Sequence, residues 1–201
     1  MRKRQIIIDC DPGLDDAVAL LLAFAATDRL DVLGITTVAG NVRGGLTFRN
    51  ARIIRDVAGL DRNVPVCAGA PRPLVRDPVT AEDFHGTTGL GGLDLPKPKG
   101  RASRQHAVNF LIKTLRATKG FPATLVVTGP MTNVALALTM APDIAEGLSE
   151  IVVMGGQGAV AIQAGRDYAK ATGGAMYYEV LTKLRFGRFE EILEMENDAD
   201  N

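Results

Sequence analysis

The chain has 201 residues, 46% of them hydrophobic and 23% charged, which is enough to bury the core of one domain. Its 23 basic residues balance its 23 acidic residues, so no net charge favours nucleic acid or a membrane surface as a partner. The two cysteines suggest reduced thiols, and the longest apolar run, at 17–26, is half a bilayer span. We therefore expect a cytoplasmic protein without a signal peptide, a nucleic-acid partner or a membrane partner.

Short β-branched runs alternate with helical patterns over the first three quarters of the chain. Because the strands are apolar throughout, this alternation predicts an open, mostly parallel, Rossmann-like α/β sheet with helices on both faces. Ligands of such sheets bind beyond the carboxyl ends of the strands. We expect the polar segments that follow four of these strands to meet in one crevice. The predicted strands are 5–9, 31–40, 64–69, 123–129 and 150–156, and the predicted helices are 14–26, 46–59, 103–120 and 131–140.

Two stretches do not follow this alternation. Residues 70–100 hold five of the ten prolines and the glycine-rich run FHGTTGLGG, a combination that indicates either a functional lid or disorder. The segment after about residue 157 predicts two short helices, broken near Gly187, followed by an acidic tail. From Arg188 onward there are six acidic residues and one basic residue, so we expect a solvated, frayed terminus.

Four aspartates lie within eight residues at the end of the first predicted strand. Asp15 and Asp16 fall in the first turn of a helix, where acidic side chains are favourable without any ligand. Asp9 and Asp11 flank Cys10 at the strand end, and the DPG sequence then turns the chain so that Asp11 and Asp16 can both face the crevice. Carboxylates gathered without nearby lysine or arginine suit a hard divalent cation, Ca²⁺ or Mg²⁺ rather than zinc. From spacing alone, the metal site and the purely structural explanation remain equally open.

The aspartate motif resembles the amino-terminal signature of the inosine–uridine preferring nucleoside hydrolases, and further blocks follow in that family's order. The similarity is nearly continuous from Gln5 to about Gly156. The matching blocks are DCDPGLDDAVALLLA, ITTVAGNV, RNARIIRDVAG, VPVCAGAPRPLVR, FHGTTGLGG, HAVNFLI, LVVTGPMTNVALAL and IVVMGG.

This resemblance implies a Ca²⁺-dependent hydrolase that cleaves the N-glycosidic bond of ribonucleosides, with a small-molecule substrate and a homo-oligomeric assembly. It assigns Asp11 as a metal ligand and as the general base that deprotonates the attacking water. It assigns Asp16 and the backbone carbonyl of Thr128 as further metal ligands. The ribose would be bound by Asp15 and Asn41, and the nucleobase by His85.

Several other polar residues have ordinary structural explanations. His106 is expected to lie on the surface at the start of a helix, whereas His85 is expected to be exposed in its glycine-rich loop and functional rather than a core histidine. Thr132 and Asn133 follow a GP turn, and this position predicts that they cap the helix that begins there. Cys10 is expected to fill a small apolar space beside the site.

The resemblance ends near Gly156, although members of the family continue further. The later family segments bind the ribose 5′ side, add another aspartate ligand and often supply a histidine that protonates the leaving base. Residues 157–201 match none of them. We therefore expect an incomplete nucleoside hydrolase-like domain at 1–156, C-terminally truncated relative to the family, and a divergent helical tail at 157–201.

Two other function classes remain open at this stage. A phosphotransferase of the aspartyl-phosphate type also places Asp-x-Asp after the first strand, as Asp9 and Asp11 do here. Such an enzyme needs a lysine and a second acidic pair at later strand ends, and MGG at 154–156 offers neither. The other class is non-enzymatic: a module that binds nucleosides or a partner without catalysis.

Overall fold

The computed structural model describes residues 2–60 and 64–154, together with the backbone of 177–180 and 184–185. Within these ranges the chain forms an α/β structure around one sheet. The strands are β1 Arg4–Cys10, β2 Leu30–Thr37, β3 Val66–Ala68, β4 Ala123–Val127, β5 Leu148–Met154, β6 Tyr177–Val180 and β7 Leu184–Arg185. The helices are α1 Leu14–Ala25, α2 Gly44–Val57, α3 Glu82–His85, α4 Ala107–Ala117 and α5 Thr132–Met140, with a 3₁₀ helix at Pro142–Gly147.

The sheet has the strand order β3-β2-β1-β4-β5-β6-β7. Strands β1 to β6 are parallel, and β7 is antiparallel to β6. The chain leaves β1 for β2 and β3 on one side, then returns to β4 on the other side. The direction of winding therefore reverses between β1 and β4, and in open α/β sheets the crevice at such a reversal is the usual ligand site.

The central strand β1 is buried because both of its faces are covered by helices. Ile7 packs in a core with α4, α5 and the 3₁₀ helix, whereas Ile6 and Ile8 pack in a second core with α1 and α2. Crossovers between parallel strands are right-handed, so the two directions of winding place their helices on opposite faces. This explains why β1 reads as an uninterrupted apolar run rather than an alternating one.

The predicted α/β class, strands and helices 14–26 to 131–140 are confirmed, with boundaries that differ by a few residues. The long connection 70–100 is described throughout and contains α3. Leu90, in the glycine-rich run, is buried in the core with α1 and α2. Of the two alternatives for this connection, disorder is therefore wrong, because the buried Leu90 side chain holds the connection against the core.

The helical prediction for the later segment is wrong at 177–180 and 184–185, where the chain forms β6 and β7. The sequence of β6, YYEV, is aromatic and β-branched, and such residues favour strands. β6 also pairs with the otherwise open edge of β5. The remaining residues of the predicted tail, including the acidic terminus, lie outside the described residues. None of the helices in the described part is long and apolar enough to cross a membrane.

Candidate functional site

Asp11 follows β1 directly, and Asn41 binds it at the carboxyl end of β2. The Asn41 backbone N–H donates to Asp11 Oδ2 at 2.7 Å, and Asn41 Nδ2 donates to the Asp11 carbonyl at 3.0 Å. Asn41 Nδ2 also lies 3.2 Å from Asp16 Oδ2. One amide side chain thus bridges the strand end and the first turn of α1, as the predicted crevice requires.

Asp16 is buried in the first turn of α1 and connects that helix to the end of β4. Its Oδ1 accepts a hydrogen bond from Thr128 Oγ1 at 2.6 Å, and its Oδ2 accepts one from the Gly13 N–H at 3.1 Å. The bond from Gly13 satisfies a backbone donor at the helix start. Asp16 therefore accepts a backbone N–H at the start of α1, as expected of an acidic residue in the first turn of a helix, and it also faces the crevice.

The two carboxylates occupy a site that disfavours their charge. Burial, followed by the nearby charge of Asp16, raises the pKa of Asp11 to about 8. Burial also raises the pKa of Asp16, against the hydrogen bond from Thr128. Among the described residues no lysine or arginine forms an ion pair with either aspartate. A bound cation would relieve this unfavourable charge.

The donor set fits a hard cation. The carboxylates of Asp11 and Asp16 supply charged oxygens, and no described residue donates a hydrogen bond to the carbonyl oxygen of Thr128. Close backbone packing also shapes the site, since a Cβ at Gly129 would lie 2.7 Å from Asp11 Oδ1 and one at Gly40 would overlap Asp11 Oδ2. Among the described residues, no three or more His, Cys, Asp or Glu side chains are placed so that together they could hold a metal ion. A cation here would therefore need carbonyl and water oxygens as well.

His85 is buried, so its predicted exposure is wrong. It ends the short helix α3, which folds back onto the start of α1, and its Nδ1 accepts a hydrogen bond from the Leu14 N–H at 3.2 Å. A Cβ at Gly13 would lie 2.7 Å from that nitrogen. Asp15 lies beside them on the exposed side of α1. The structure thus brings the sequence-derived residues to one end of the sheet, with Asp15 at its surface.

Comparison with known proteins agrees with this geometry. Residues 6–169 match the family model of the inosine-uridine preferring nucleoside hydrolases, which is most of the chain. The chain belongs to this family. It is 43% identical over 154 residues to the inosine-uridine preferring nucleoside hydrolase of Crithidia fasciculata, covering 76% of this chain and 48% of that protein. It is 45% identical over 156 residues to the pyrimidine-specific ribonucleoside hydrolase RihB of Escherichia coli O1:K1, covering 78% of this chain and 49% of the relative.

Solved structures of nucleoside hydrolases share the fold. The purine-preferring ribonucleoside hydrolase from Gardnerella vaginalis superposes with a TM-score of 0.73 at 30% identity, over 89% of this chain and 61% of that one. A plant nucleoside hydrolase gives a TM-score of 0.74 at 29% identity, over 90% and 60% of the two chains. The chain spans about half the length of the curated relatives it matches.

Asn133 has a role in this family member that its sequence did not predict. Asn133 Nδ2 donates to Asp9 Oδ1 at 2.8 Å and to the Thr37 carbonyl at 3.0 Å, while Asn133 Oδ1 accepts from the Ala70 N–H at 2.8 Å. Thr132 and Asn133 were expected to cap a helix, but they are the first two residues of α5 and Met131 occupies the cap. The capping prediction is therefore wrong, because the Asn133 side chain reaches across the sheet instead.

Asp9 lies below the crevice, fully buried within β1. Burial raises the pKa of Asp9 to about 6, against hydrogen bonds from Thr36 and Asn133. A buried carboxylate in a strand requires donors, and that requirement is the sequence signal that could have identified Asn133 and Thr36. Cys10 is buried in the core with α1, and His106 is exposed at the start of α4, so both expectations are confirmed.

Proposed function

We propose that this chain hydrolyses the N-glycosidic bond of purine and pyrimidine ribonucleosides to ribose and free base in the cytoplasm. The observation that carries the proposal is the buried pair Asp11 and Asp16, joined by Asn41 where the winding of the sheet reverses. The comparisons support it, because relatives with this fold are named for nucleoside hydrolysis. Both described cysteines are free, which suits a reducing compartment.

We propose Ca²⁺ as the cofactor, held by the carboxylates of Asp11 and Asp16 and the carbonyl of Thr128. Oxygen donors select hard cations, and flexible coordination that includes a backbone carbonyl suits Ca²⁺ better than Mg²⁺. When bound, the cation supplies charge neutralisation for the carboxylates and acidifies a coordinated water.

Asp11 is the general base of the proposed reaction. Its Oδ2 accepts a hydrogen bond from the Asn41 N–H, and glycines at positions 40 and 129 leave the space that its two carboxylate oxygens occupy, because a Cβ at either position would collide with them. A carboxylate held this way accepts a proton from a water at a defined atom. The buried negative charge also stabilises the oxocarbenium-like state through which ribose–base cleavage passes.

The remaining residues position the substrate in this proposal. Asp15, exposed at the mouth of the site, and Asn41 bind the ribose hydroxyls. His85 faces the nucleobase. Since its Nδ1 accepts from Leu14, a neutral His85 imidazole carries its proton on Nε2, which can donate to a heteroatom of the base.

The test is ribose release from inosine and from uridine by the purified chain, with added Ca²⁺ and with a chelator. We expect release that requires Ca²⁺ and that Asp11→Asn reduces by about three orders of magnitude, as removal of an essential base or activating ligand does. The matched control is Asp31→Asn, an exposed carboxylate in β2, which should leave release unchanged.

Two results would contradict the proposed hydrolysis. Equal release by wild type and Asp11→Asn would remove Asp11 from the reaction. Saturable nucleoside binding in equilibrium dialysis without any ribose release would instead support the non-enzymatic binding module.

A further inference from the structure

Asn50 is a fully buried polar residue in the middle of α2, and the proposed reaction gives it no role. Its side chain is 0% exposed. A buried amide costs free energy unless its polar atoms are hydrogen-bonded, and asparagine is a weaker helix former than alanine or leucine. The reason for an asparagine at this position therefore lies in its contacts outside α2.

The Asn50 amide joins two backbone segments of the candidate site. Asn50 Nδ2 donates to the Pro12 carbonyl at 3.2 Å and to the Thr88 carbonyl at 2.8 Å. The reverse orientation of the amide would place Oδ1 against both carbonyl oxygens, so the two contacts define which atom points where. Pro12 follows Asp11 directly, and Thr88 is three residues after His85. One side chain of α2 thus connects the chain beside Asp11 to the loop that carries His85.

Residues 85–91, which we call the His85 loop, are shaped to reach Asn50. The Gly91 N–H donates to the His85 carbonyl at 2.8 Å, and this hydrogen bond closes the loop. Gly89 has a φ of 83°, and a Cβ there would lie 2.8 Å from Asn50 Nδ2. Any side chain at position 89 would therefore be strained and would push the loop away from Asn50.

We propose that Asn50 is a positioning residue that sets where His85 lies relative to Asp11. This inference rests on the proposed function, in which Asp11 activates the water and His85 donates to the leaving base. The buried Leu90 also holds the His85 loop, but apolar contacts are not directional, whereas the two hydrogen bonds of Asn50 fix the loop at defined atoms. Displacement of a catalytic group by about 1 Å can cost about a hundredfold in rate.

The first test is hydrogen–deuterium exchange of the Gly91 N–H, followed by NMR in the full chain. Asn50→Ala removes both donors, and Asn50→Asp keeps the shape of the side chain but has no donor when it is ionised. We expect exchange at least about tenfold faster in both variants, because the His85 loop opens more often. Thr47→Val is the matched control, since Thr47 is equally buried in α2 but donates to the Gly44 carbonyl of its own helix. It should leave this exchange unchanged.

The second test compares two leaving groups. Inosine needs a hydrogen bond to its base, whereas the p-nitrophenolate of p-nitrophenyl β-D-ribofuranoside leaves without a proton. We expect Asn50→Ala to lower kcat/KM for inosine by about tenfold to a hundredfold and to keep kcat/KM for the riboside within about twofold. In a His85→Ala background, Asn50→Ala should cause no further loss with inosine, because the two residues then act through one contact. Loss of folded protein would instead lower hydrolysis of both substrates alike.

Unchanged exchange of the Gly91 N–H in the Asn50 variants would overturn the proposal. So would equal losses with inosine and the riboside, or a full additional loss in the His85→Ala background, because Asn50 would then contribute to stability alone. A wild type that releases no ribose from either substrate would overturn the proposed function instead. The exchange measurement would in that case still decide whether Asn50 holds the His85 loop in place.

Discussion

Asn133 shows how one buried side chain can hold several strand ends in register. Its three hydrogen bonds join α5 to Asp9 of β1, Thr37 of β2 and the Ala70 N–H beyond β3. Asn133 and these three partners lie at the same strand ends as the crevice that contains Asp11. A change at Asn133 therefore acts on both the stability of the sheet and the position of the site.

We expect Asn133→Ala to lower the free energy of unfolding by about 2–4 kcal/mol. The substitution leaves the buried Ala70 N–H without its partner and removes one of the two donors to the buried Asp9 carboxylate, which keeps only Thr36. An unsatisfied buried group costs about 1–3 kcal/mol. The measurement is urea unfolding of the purified variant. Asn109→Ala, an exposed asparagine on α4, is the control and should change stability by less than about 0.5 kcal/mol. A similar loss in both variants would contradict this role for Asn133.

At the scale of elements, Asp56 attaches α2 to the connection that precedes α4. Its Oδ2 accepts the Lys99 and Gly100 N–H groups at 2.6 and 2.9 Å, and its Oδ1 accepts Arg55 Nη2 at 2.8 Å. The buried Arg55 also donates to the carbonyls of Val64 and Arg101. Although burial opposes it, the hydrogen bonds from Gly100 and Arg55 hold the pKa of Asp56 below 3.8.

This lowered pKa predicts a pH-dependent effect of Asp56→Asn. Because the folded-state pKa lies below the unfolded value, the ionised carboxyl adds stability above about pH 4, and that stability is lost as the pH falls through the folded pKa. We expect Asp56→Asn to lower the free energy of unfolding by about 1–2 kcal/mol at pH 6 and by clearly less at pH 3. The measurement is urea unfolding at both pH values.

The matched control for Asp56 is Asp28→Asn. The Asp28 carboxylate is 80% exposed and lies 3.9 Å from Arg29, so the substitution should have little effect at either pH. An effect of Asp56→Asn that is equal at pH 6 and pH 3 would show that the charge of Asp56 does not contribute to holding the two elements together.

At the scale of the molecule, the sequence correctly predicts the strands and helices whose hydrophobic pattern is clear. Apolar strands such as IIIDC and amphipathic helices such as α4 were identified because burial on both faces or on one face leaves a distinct pattern. The convergence of Asp11 and Asp16 follows from parallel strand order and the DPG turn, whereas Asn41 is singled out by the family resemblance. Apart from Asn41, each of these depends on local pattern and on a general rule of topology.

Features that depend on tertiary contact were not predictable in the same way. The burial of His85 requires α3 to fold onto the start of α1, over 71 residues of separation in sequence. The Asn133 side chain contacts Asp9 of β1, Thr37 of β2 and Ala70 beyond β3. The GP turn before α5 gives no sign of these distant partners and predicts a helix cap instead. The sequence around β6 predicts a helix, although the YYEV run itself favours a strand. Its pairing with the edge of β5 is a tertiary contact that the sequence does not show.

A cation site in the crevice at β1, β2 and β4 is the central feature of the proposed function. Asp11 and Asp16 are buried carboxylates with raised pKa values, and a divalent cation is the ligand that would make their charge favourable. The most direct measurement is isothermal titration of the full chain with Ca²⁺ at pH 7.5, in parallel with Asp11→Asn and the control Asp31→Asn. We predict one Ca²⁺ bound per chain, with affinity reduced more than about tenfold in Asp11→Asn and unchanged in Asp31→Asn. An absence of Ca²⁺ binding by the wild type, or equal binding by Asp11→Asn, would contradict the account.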